Sequence, residues 1–214
     1  MTLPNLPFQR VLALAPHTDD VEFGAGGLVQ RLLEGGATVR AIALSNAVKS
    51  LPPGFEPGTL EREFRAANRE LGIPDDCVEL ADFPVRDFPS VRQEILEFFT
   101  ALRFSFNPDL VLTPCQTDVH QDHQTCCMEA IRAFKTCTIL GYELPWNTLH
   151  FSSSALVRLE ERHAERKIKA LSNYESQKSR PYAKEQFIRG WMHGRGVTVG
   201  APYAEAFEII RWVV

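Results

Sequence analysis

Apolar positions along this chain alternate between short unbroken runs and stretches where they recur every three or four residues. Residues 10–15, 39–44 and 109–113 are the strongest runs, the pattern of strands covered on both faces of a parallel sheet. Between the first two, Leu28, Val29, Leu32 and Leu33 fall close to one face of a helix. That helix is expected to begin around residues 24–27 and to stop at Gly35 and Gly36. Strand, helix and strand over ~35 residues make a βαβ unit, which implies a right-handed crossover.

The alternation continues. A loop rich in Pro and Gly covers 46–58, and a helix follows over 59–71, with Thr59 as its N-cap and Gly72-Ile73-Pro74 as its stop. A short strand is predicted at 77–81, a helix at 90–104, a helix from about 123 to 134 and a strand at 137–141. Beyond Trp146 the rhythm weakens to an edge strand near 149–157, helices over 160–172 and 183–192, and a last strand at 207–213. No repeat, low-complexity tract or linker divides the chain, so a single α/β domain over 1–214 with a mostly parallel central sheet is expected.

Composition narrows the class. The 214 residues are 44% hydrophobic and 23% charged, enough apolar surface to offset the entropy of ordering. No apolar run approaches the ~20 residues that cross a bilayer, and the first ten residues lack a secretory pattern. A net charge of −4 argues against nucleic acid as a partner, and the basic stretch 162–169 also carries Glu165. The five cysteines are odd in number and lack a C-x-x-C pair, which fits free thiols and a cytoplasmic location. Cys126 and Cys127 lie just behind better metal ligands.

In open parallel sheets, ligands bind beyond the carboxyl ends of the strands, where the strand order reverses. Two loops at such ends are loaded with ligand-type residues. His17-Thr18-Asp19-Asp20 follows the first strand, and Asp118-Val119-His120-Gln121-Asp122-His123 follows the strand ending at Thr113. A strand order of 3-2-1-4-5 makes these loops neighbours despite about a hundred intervening residues. His17, Asp20 and His123 then offer two imidazoles and a carboxylate, a set that leaves a tetrahedral zinc one open position. Asp19 is held beside the metal without being needed as a ligand, which suits a base. His120 titrates near physiological pH, and Asp122 is expected to hold its tautomer and favour its cationic form. Such an imidazolium would stabilise an oxyanion or protonate a leaving amine.

Each element has a plainer reading. An Asp-Asp pair after a strand is commonly a turn and helix cap, and H-x-x-H alone is often structural. Both at the ends of strong buried strands favour a metal site. The glycines at 24, 26 and 27 follow two carboxylates that would repel a pyrophosphate, so close packing suits them better than a nucleotide loop. His150, His163 and His193 are scattered, and no G-x-S-x-G elbow is present.

The segment Ala15-Pro-His-Thr-Asp-Asp-Val-Glu-Phe-Gly-Ala-Gly-Gly27 resembles the A-H-P-D-D-E-x-x-x-G-G signature of the PIG-L/LmbE-like N-acetylglucosamine deacetylases. Residues 118–123 are similar to that family's D-x-H-x-D-H motif, and 196–207 to its G-x-x-x-G-x-x-Y-A-E-A-F segment. The resemblance implies a Rossmann-like three-layer sandwich and metal-dependent removal of an N-acetyl group from an N-acetylglucosamine-type amino sugar. It implies zinc, or alternatively ferrous iron, on His17, Asp20 and His123. Asp19 corresponds to the base, His120 to the oxyanion-stabilising or acid histidine, and Asp122 to its partner. Tyr203 and Arg62 are implied as substrate contacts, and Glu205 as support for the site.

Thr18 replaces the usual Pro, and Val21 stands at the third acidic position with Glu22 beside it. Residues 143–147 and 180–182 resemble a subgroup feature associated with bacterial surface-sugar pathways. Trp146 and Trp191 are candidate contacts in a homo-oligomer. The alternatives are an amidohydrolase acting on another N-acyl amine and a non-catalytic Rossmann-type nucleotide-binding domain.

Overall fold

The computed structural model describes residues 3–213. Its strands are β1 (Arg10–Ala15), β2 (Thr38–Ala43), β3 (Val78–Leu80), β4 (Leu110–Pro114), β5 (Thr138–Tyr142), β6 (Ala155–Leu159) and β7 (Tyr203–Arg211). They form one sheet in the order β3-β2-β1-β4-β5-β7-β6. The first five strands run parallel, while β7 lies antiparallel to both β5 and β6. The helices are α1 (Asp20–Glu34), α2 (Thr59–Leu71), α3 (Arg92–Phe106), α4 (Gln121–Ala133), α5 (Glu161–Leu171) and α6 (Glu185–Val197). This is a Rossmann-like three-layer sandwich, as the apolar rhythm and the resemblance imply.

Both faces of the central strands are covered, which is why they read as unbroken apolar runs. In β1, Val11, Ala13 and Ala15 pack with residues of α1, α2, α5 and α6 in one core. Leu12 and Leu14 point the other way, into a second core with residues of α3 and α4. The alternation of side chains along a strand thus feeds two cores from one hydrophobic run. After β1 the chain crosses to β2 on one side, and after β4 it crosses to β5 on the other. The carboxyl ends of β1 and β4 therefore flank the switch point, the usual location of a crevice in such sheets.

Several boundaries differ from the sequence expectation, for identifiable reasons. Helix α1 begins at Asp20, so the glycines at 24, 26 and 27 lie inside it. They are tolerated there for contact: a Cβ at Gly24 would stand 2.4 Å from the Tyr142 ring. Tyr142 in turn donates from its hydroxyl to the carbonyl of Leu14 on β1 (2.9 Å). At α2 the N-cap is Gly58, with φ of 80°, and Thr59 is the first helical residue. The Thr59 hydroxyl donates backwards to the Glu56 carbonyl (2.7 Å) instead of capping. Helix α4 starts at Gln121 with His120 as its cap, α6 runs on to Val197, and β7 opens at Tyr203. The edge strand β6 spans Ala155–Leu159, later than expected. No helix among the described residues is long and apolar enough to cross a membrane.

Candidate metal centre

The loop after β1 and the loop before α4 meet. His17 Nδ1 lies 3.3 Å from Asp20 Oδ2, His123 Nε2 lies 3.4 Å from the same oxygen, and the two nitrogens are 3.2 Å apart. Donors about 2.0–2.2 Å from a common zinc at tetrahedral angles stand about 3.3–3.5 Å from one another. The three atoms therefore have the spacing of one face of such a tetrahedron.

Carboxylates behind the two histidines set which nitrogen is free. Asp122 Oδ2 accepts from His17 Nε2 (3.0 Å), which leaves the Nδ1 lone pair toward the centre. Asp118 Oδ2 accepts from His123 Nδ1 (2.8 Å), which leaves Nε2. Each imidazole is thus fixed in the tautomer that offers its lone pair to a common point. Local hydrogen bonds hold the loops in shape: Asp20 Oδ2 accepts from the His17 backbone N–H (2.8 Å), and Asp118 Oδ1 from that of His120 (2.8 Å). The Tyr174 hydroxyl braces the first loop from below, at the Thr18 carbonyl.

His17, His120 and His123 all offer nitrogens within 4.8 Å of one another, so a three-histidine set also competes for a metal. Hydrogen bonding separates His120 from the other two. As N-cap of α4 its Nδ1 accepts the Asp122 backbone N–H (3.1 Å), so the neutral ring carries its proton on Nε2. Ligation through Nε2 would move that proton to Nδ1, against an N–H. His120 is therefore placed as a donor, whereas the free donor atoms of His17, Asp20 and His123 converge on one point. The ring stacks on His123 with centroids 4.6 Å apart. Burial above all, followed by the charges of His123 and His17, lowers its pKa. The expected pairing of Asp122 with His120 is not what the side chains do. Because α4 starts two residues earlier than its apolar pattern suggests, Asp122 meets His120 through its backbone. Its carboxylate instead holds His17 and the N–H groups of Arg86 (2.7 Å) and Phe88 (3.3 Å).

Four carboxylates, Asp19, Asp20, Asp118 and Asp122, surround this point, and the electrostatics call for a cation. Burial opposes charge on His17, yet hydrogen bonds to Asp122 and Asp20 overcome it and raise its pKa to about 10, so the ring on its own holds a proton on Nδ1 that a bound cation would displace to free the lone pair. Burial also disfavours ionised Asp20, but His123 and His17 outweigh it and hold the carboxyl at about 2. Asp19 differs. It occupies the N-cap position of α1 but makes no side-chain capping bond, although such a bond is typically worth ~1 kcal/mol. Burial, helped by the adjacent Asp20 charge, pushes its pKa up to about 7, where a group can both accept and return a proton.

A cavity of about 270 Å³ opens over these groups. Arg86, Trp146, Asn147, Gln177, Arg180 and Tyr182 contribute to its walls. Trp146 and Tyr182 stack with ring centroids 4.0 Å apart. The sequence segments 143–147 and 180–182, which read as a subgroup feature, thus reach the cavity. Tyr203 and Arg62 do not. Tyr203 opens β7 and accepts from Arg189 (3.3 Å), while Arg62 folds back on the Thr59 hydroxyl (2.8 Å). Asp118 and Arg86 carried no assigned role in the sequence; Asp118 stood within the second motif, whereas no local signal marked Arg86. The cysteines are unpaired, and Cys126 and Cys127 are buried in α4 with thiol pKa values raised by burial.

Residues 12–135 match the family model described as PIG-L, GlcNAc-PI de-N-acetylase. The chain belongs to the PIG-L family. One curated relative, the uncharacterized deacetylase YaiS of Escherichia coli, is 26% identical over 174 residues, covering 78% of this chain and 90% of YaiS. Among solved structures, the conserved protein TT1542 of Thermus thermophilus superposes with a TM-score of 0.82 at 24% identity, over 96% of each chain. The N,N'-diacetylchitobiose deacetylase of Pyrococcus horikoshii gives 0.76 at 22% identity, over 95% of this chain and 84% of that one. GalB of Pseudomonas putida, a 4-carboxy-2-hydroxymuconate hydratase, gives 0.80 at 18% identity, over 96% and 98%. These likenesses show the fold, and a fold shared with a hydratase leaves the reaction to be argued from the site.

Proposed function

We propose that this protein is a metal-dependent N-deacetylase acting on an N-acetylglucosamine-type amino sugar, with His17, Asp20 and His123 as the ligands of zinc or ferrous iron. The observation that carries the reading is the tetrahedral-face spacing of those three donors with Asp19 poised beside them at about pH 7. A divalent ion held there would lower the pKa of a water and polarise the amide carbonyl.

The chain supplies the rest. Asp19 accepts a proton from the water as its oxygen bonds to the carbonyl carbon. His120 donates from Nε2 to the carbonyl oxygen as negative charge builds there, a contribution neutral imidazole can make. Asp19 then passes its proton to the nitrogen, the C–N bond breaks, and acetate and the free amine leave. Asp118 and Asp122 hold the histidines throughout. Family membership and the deacetylases among its relatives support the amide; the Trp146–Tyr182 wall offers an aromatic surface of the kind a sugar ring packs on.

The test is release of acetate from N-acetylglucosamine glycosides by the full chain, its loss with a chelator and its return with added metal. Metal-replete protein that cleaves no N-acyl amine would overturn the reading. Cleavage of N-acyl amines other than sugars would move it to the broader amidohydrolase class.

A further inference from the structure

We propose that the substrate of this site carries a carboxylate or phosphate outside its N-acyl amide, bound by Arg86 and Arg180; the proposal rests on the deacetylase reading for the amide alone. Both arginines line the cavity over the metal centre, from different parts of the chain. Nine other arginines of the chain are paired with carboxylates. Of the rest, Arg62, on the Thr59 hydroxyl, and Arg158, without a partner among the described residues, do not line the cavity, while Arg10, Arg31, Arg103 and Arg211 give their guanidinium to backbone carbonyls. Arg86 has neither: its guanidinium makes one long bond, 3.3 Å, to the Ser50 hydroxyl. The Arg180 guanidinium has no hydrogen-bond or ion-pair partner among the described residues, and both side chains are exposed.

The backbone shows that Arg86 is held in place. Its φ of 68° lies in the left-handed region that glycine takes without cost. Asp122 Oδ2 fixes it there through the Arg86 N–H (2.7 Å), and that same oxygen receives His17 Nε2 (3.0 Å). The carboxylate that orients a metal-side histidine therefore also positions this arginine over the cavity. Recognition of neutral sugar hydroxyls does not call for two unpaired guanidinium groups, because Asn147, Gln177 and Ser50 already line the same space. Guanidinium forks match planar carboxylate and phosphate, and two facing one cavity favour an anion there.

The experiment compares three substrates of the metal-loaded full chain: a methyl N-acetylglucosaminide, N-acetylglucosamine 1-phosphate and the N-acetylglucosaminyl glycoside of glycolate. Expected is a kcat/KM at least about tenfold higher for one or both charged substrates, shrinking as salt is raised. Preference for phosphate alone or carboxylate alone supports the proposal and names the source. In the double variant R86G/R180Q the ratio should fall toward one. Glycine relieves the left-handed backbone at 86, and an unchanged Tm verifies the fold.

Calorimetric binding of glucosamine 1-phosphate against glucosamine gives a second readout that needs no turnover. The phosphate should strengthen binding to the wild type and not to the double variant. Equal kcat/KM for all three substrates, or a preference that survives both substitutions, overturns the proposal. Charge-dependent binding without turnover of any substrate strikes the deacetylase reading and leaves the anion subsite standing. The absence of both turnover and charge-dependent binding overturns the two together.

Discussion

The carboxylate of Glu205 reaches across from β7 to the backbone of α1, accepting the N–H groups of Gly27 (2.8 Å) and Leu28 (2.7 Å). Lys167 of α5 completes the arrangement, donating from Nζ to Glu205 (2.7 Å) and to the Phe23 carbonyl. Both charged side chains are almost fully buried. The third sequence motif thus acts on the helix that carries Asp19 and Asp20 at its start.

Breaking this pair leaves a buried charge without a partner. Glu205→Gln and Lys167→Met should each lower the free energy of unfolding by about 3–5 kcal/mol. The double variant should cost clearly less than the sum, since each change has already removed the shared interaction. Urea unfolding of the four proteins measures this. Strict additivity would show that the contact is energetically unimportant.

Gly27 makes the approach of Glu205 possible. A Cβ there would lie 2.4 Å from Leu159 Cδ1 and 3.1 Å from Glu205 Oε1. Gly27→Ala should therefore destabilise by about 1–3 kcal/mol, although alanine is the better helix former. A neutral or stabilising result in thermal unfolding would mean that β6 yields more easily than its packing indicates.

The core strands and the loops of the centre were legible because β1 and β4 are covered on both faces and end in ligand-rich turns. The glycines were legible as packing residues, but not their partners Tyr142, Leu159 and Glu205, which the chain brings together only in space. The partner of Asp122 was obscured by adjacency: its neighbour His120 looked like the natural choice until the start of α4 assigned that contact to the backbone. Tyr203 illustrates the converse. The motif is present, but β7 begins there and turns the ring toward His193 and Arg189 of α6. Arg86 carries no local signal, and Arg180 is marked only as part of the 180–182 segment, because the significance of the two lies in facing one cavity from distant loops.

In the proposed reaction, Asp19 is the group whose chemistry can be removed while the proposed ligands His17, Asp20 and His123 stay. Asp19→Asn should bind metal as the wild type does and lose about 10²–10⁴-fold in kcat. Metal content by elemental analysis, read beside acetate release, checks both halves. Loss of metal together with activity would make Asp19 a ligand.

Asp118 should act through His123. In Asp118→Asn, the side-chain oxygen still accepts the His120 N–H, so the amide NH2 takes the place of Oδ2 and presents a donor to His123 Nδ1, which disfavours the tautomer with Nε2 free. Metal affinity should fall about 10–100-fold, measured by competition with a chromogenic chelator. Unchanged affinity would show that His123 is oriented by its packing alone.

Glu22 gives the clearest pH dependence of stability. It is fully buried behind the first loop, with Oε1 accepting from Asn68 (2.6 Å) and facing the Tyr174 hydroxyl (3.1 Å). Its Oε2 is one of two buried side-chain polar atoms without a partner among the described residues, the other being Asn68 Oδ1. Burial above all, with the charge of Asp19 adding to it, pushes the carboxyl up from 4.5 to about 8 against the hydrogen bonds that oppose the shift. The folded protein holds this proton at neutral pH, while the unfolded chain releases it near 4.5. Across that window the native state binds more protons, so the contribution of Glu22 to stability falls as pH rises and levels off above about 8. Glu22→Gln keeps the shape and stays neutral at every pH. Its stability should match the wild type near pH 5 and exceed it increasingly toward about pH 8.5. Urea unfolding of the two metal-loaded proteins across this range tests the assignment, and parallel curves would show that Glu22 is ionised in the folded state.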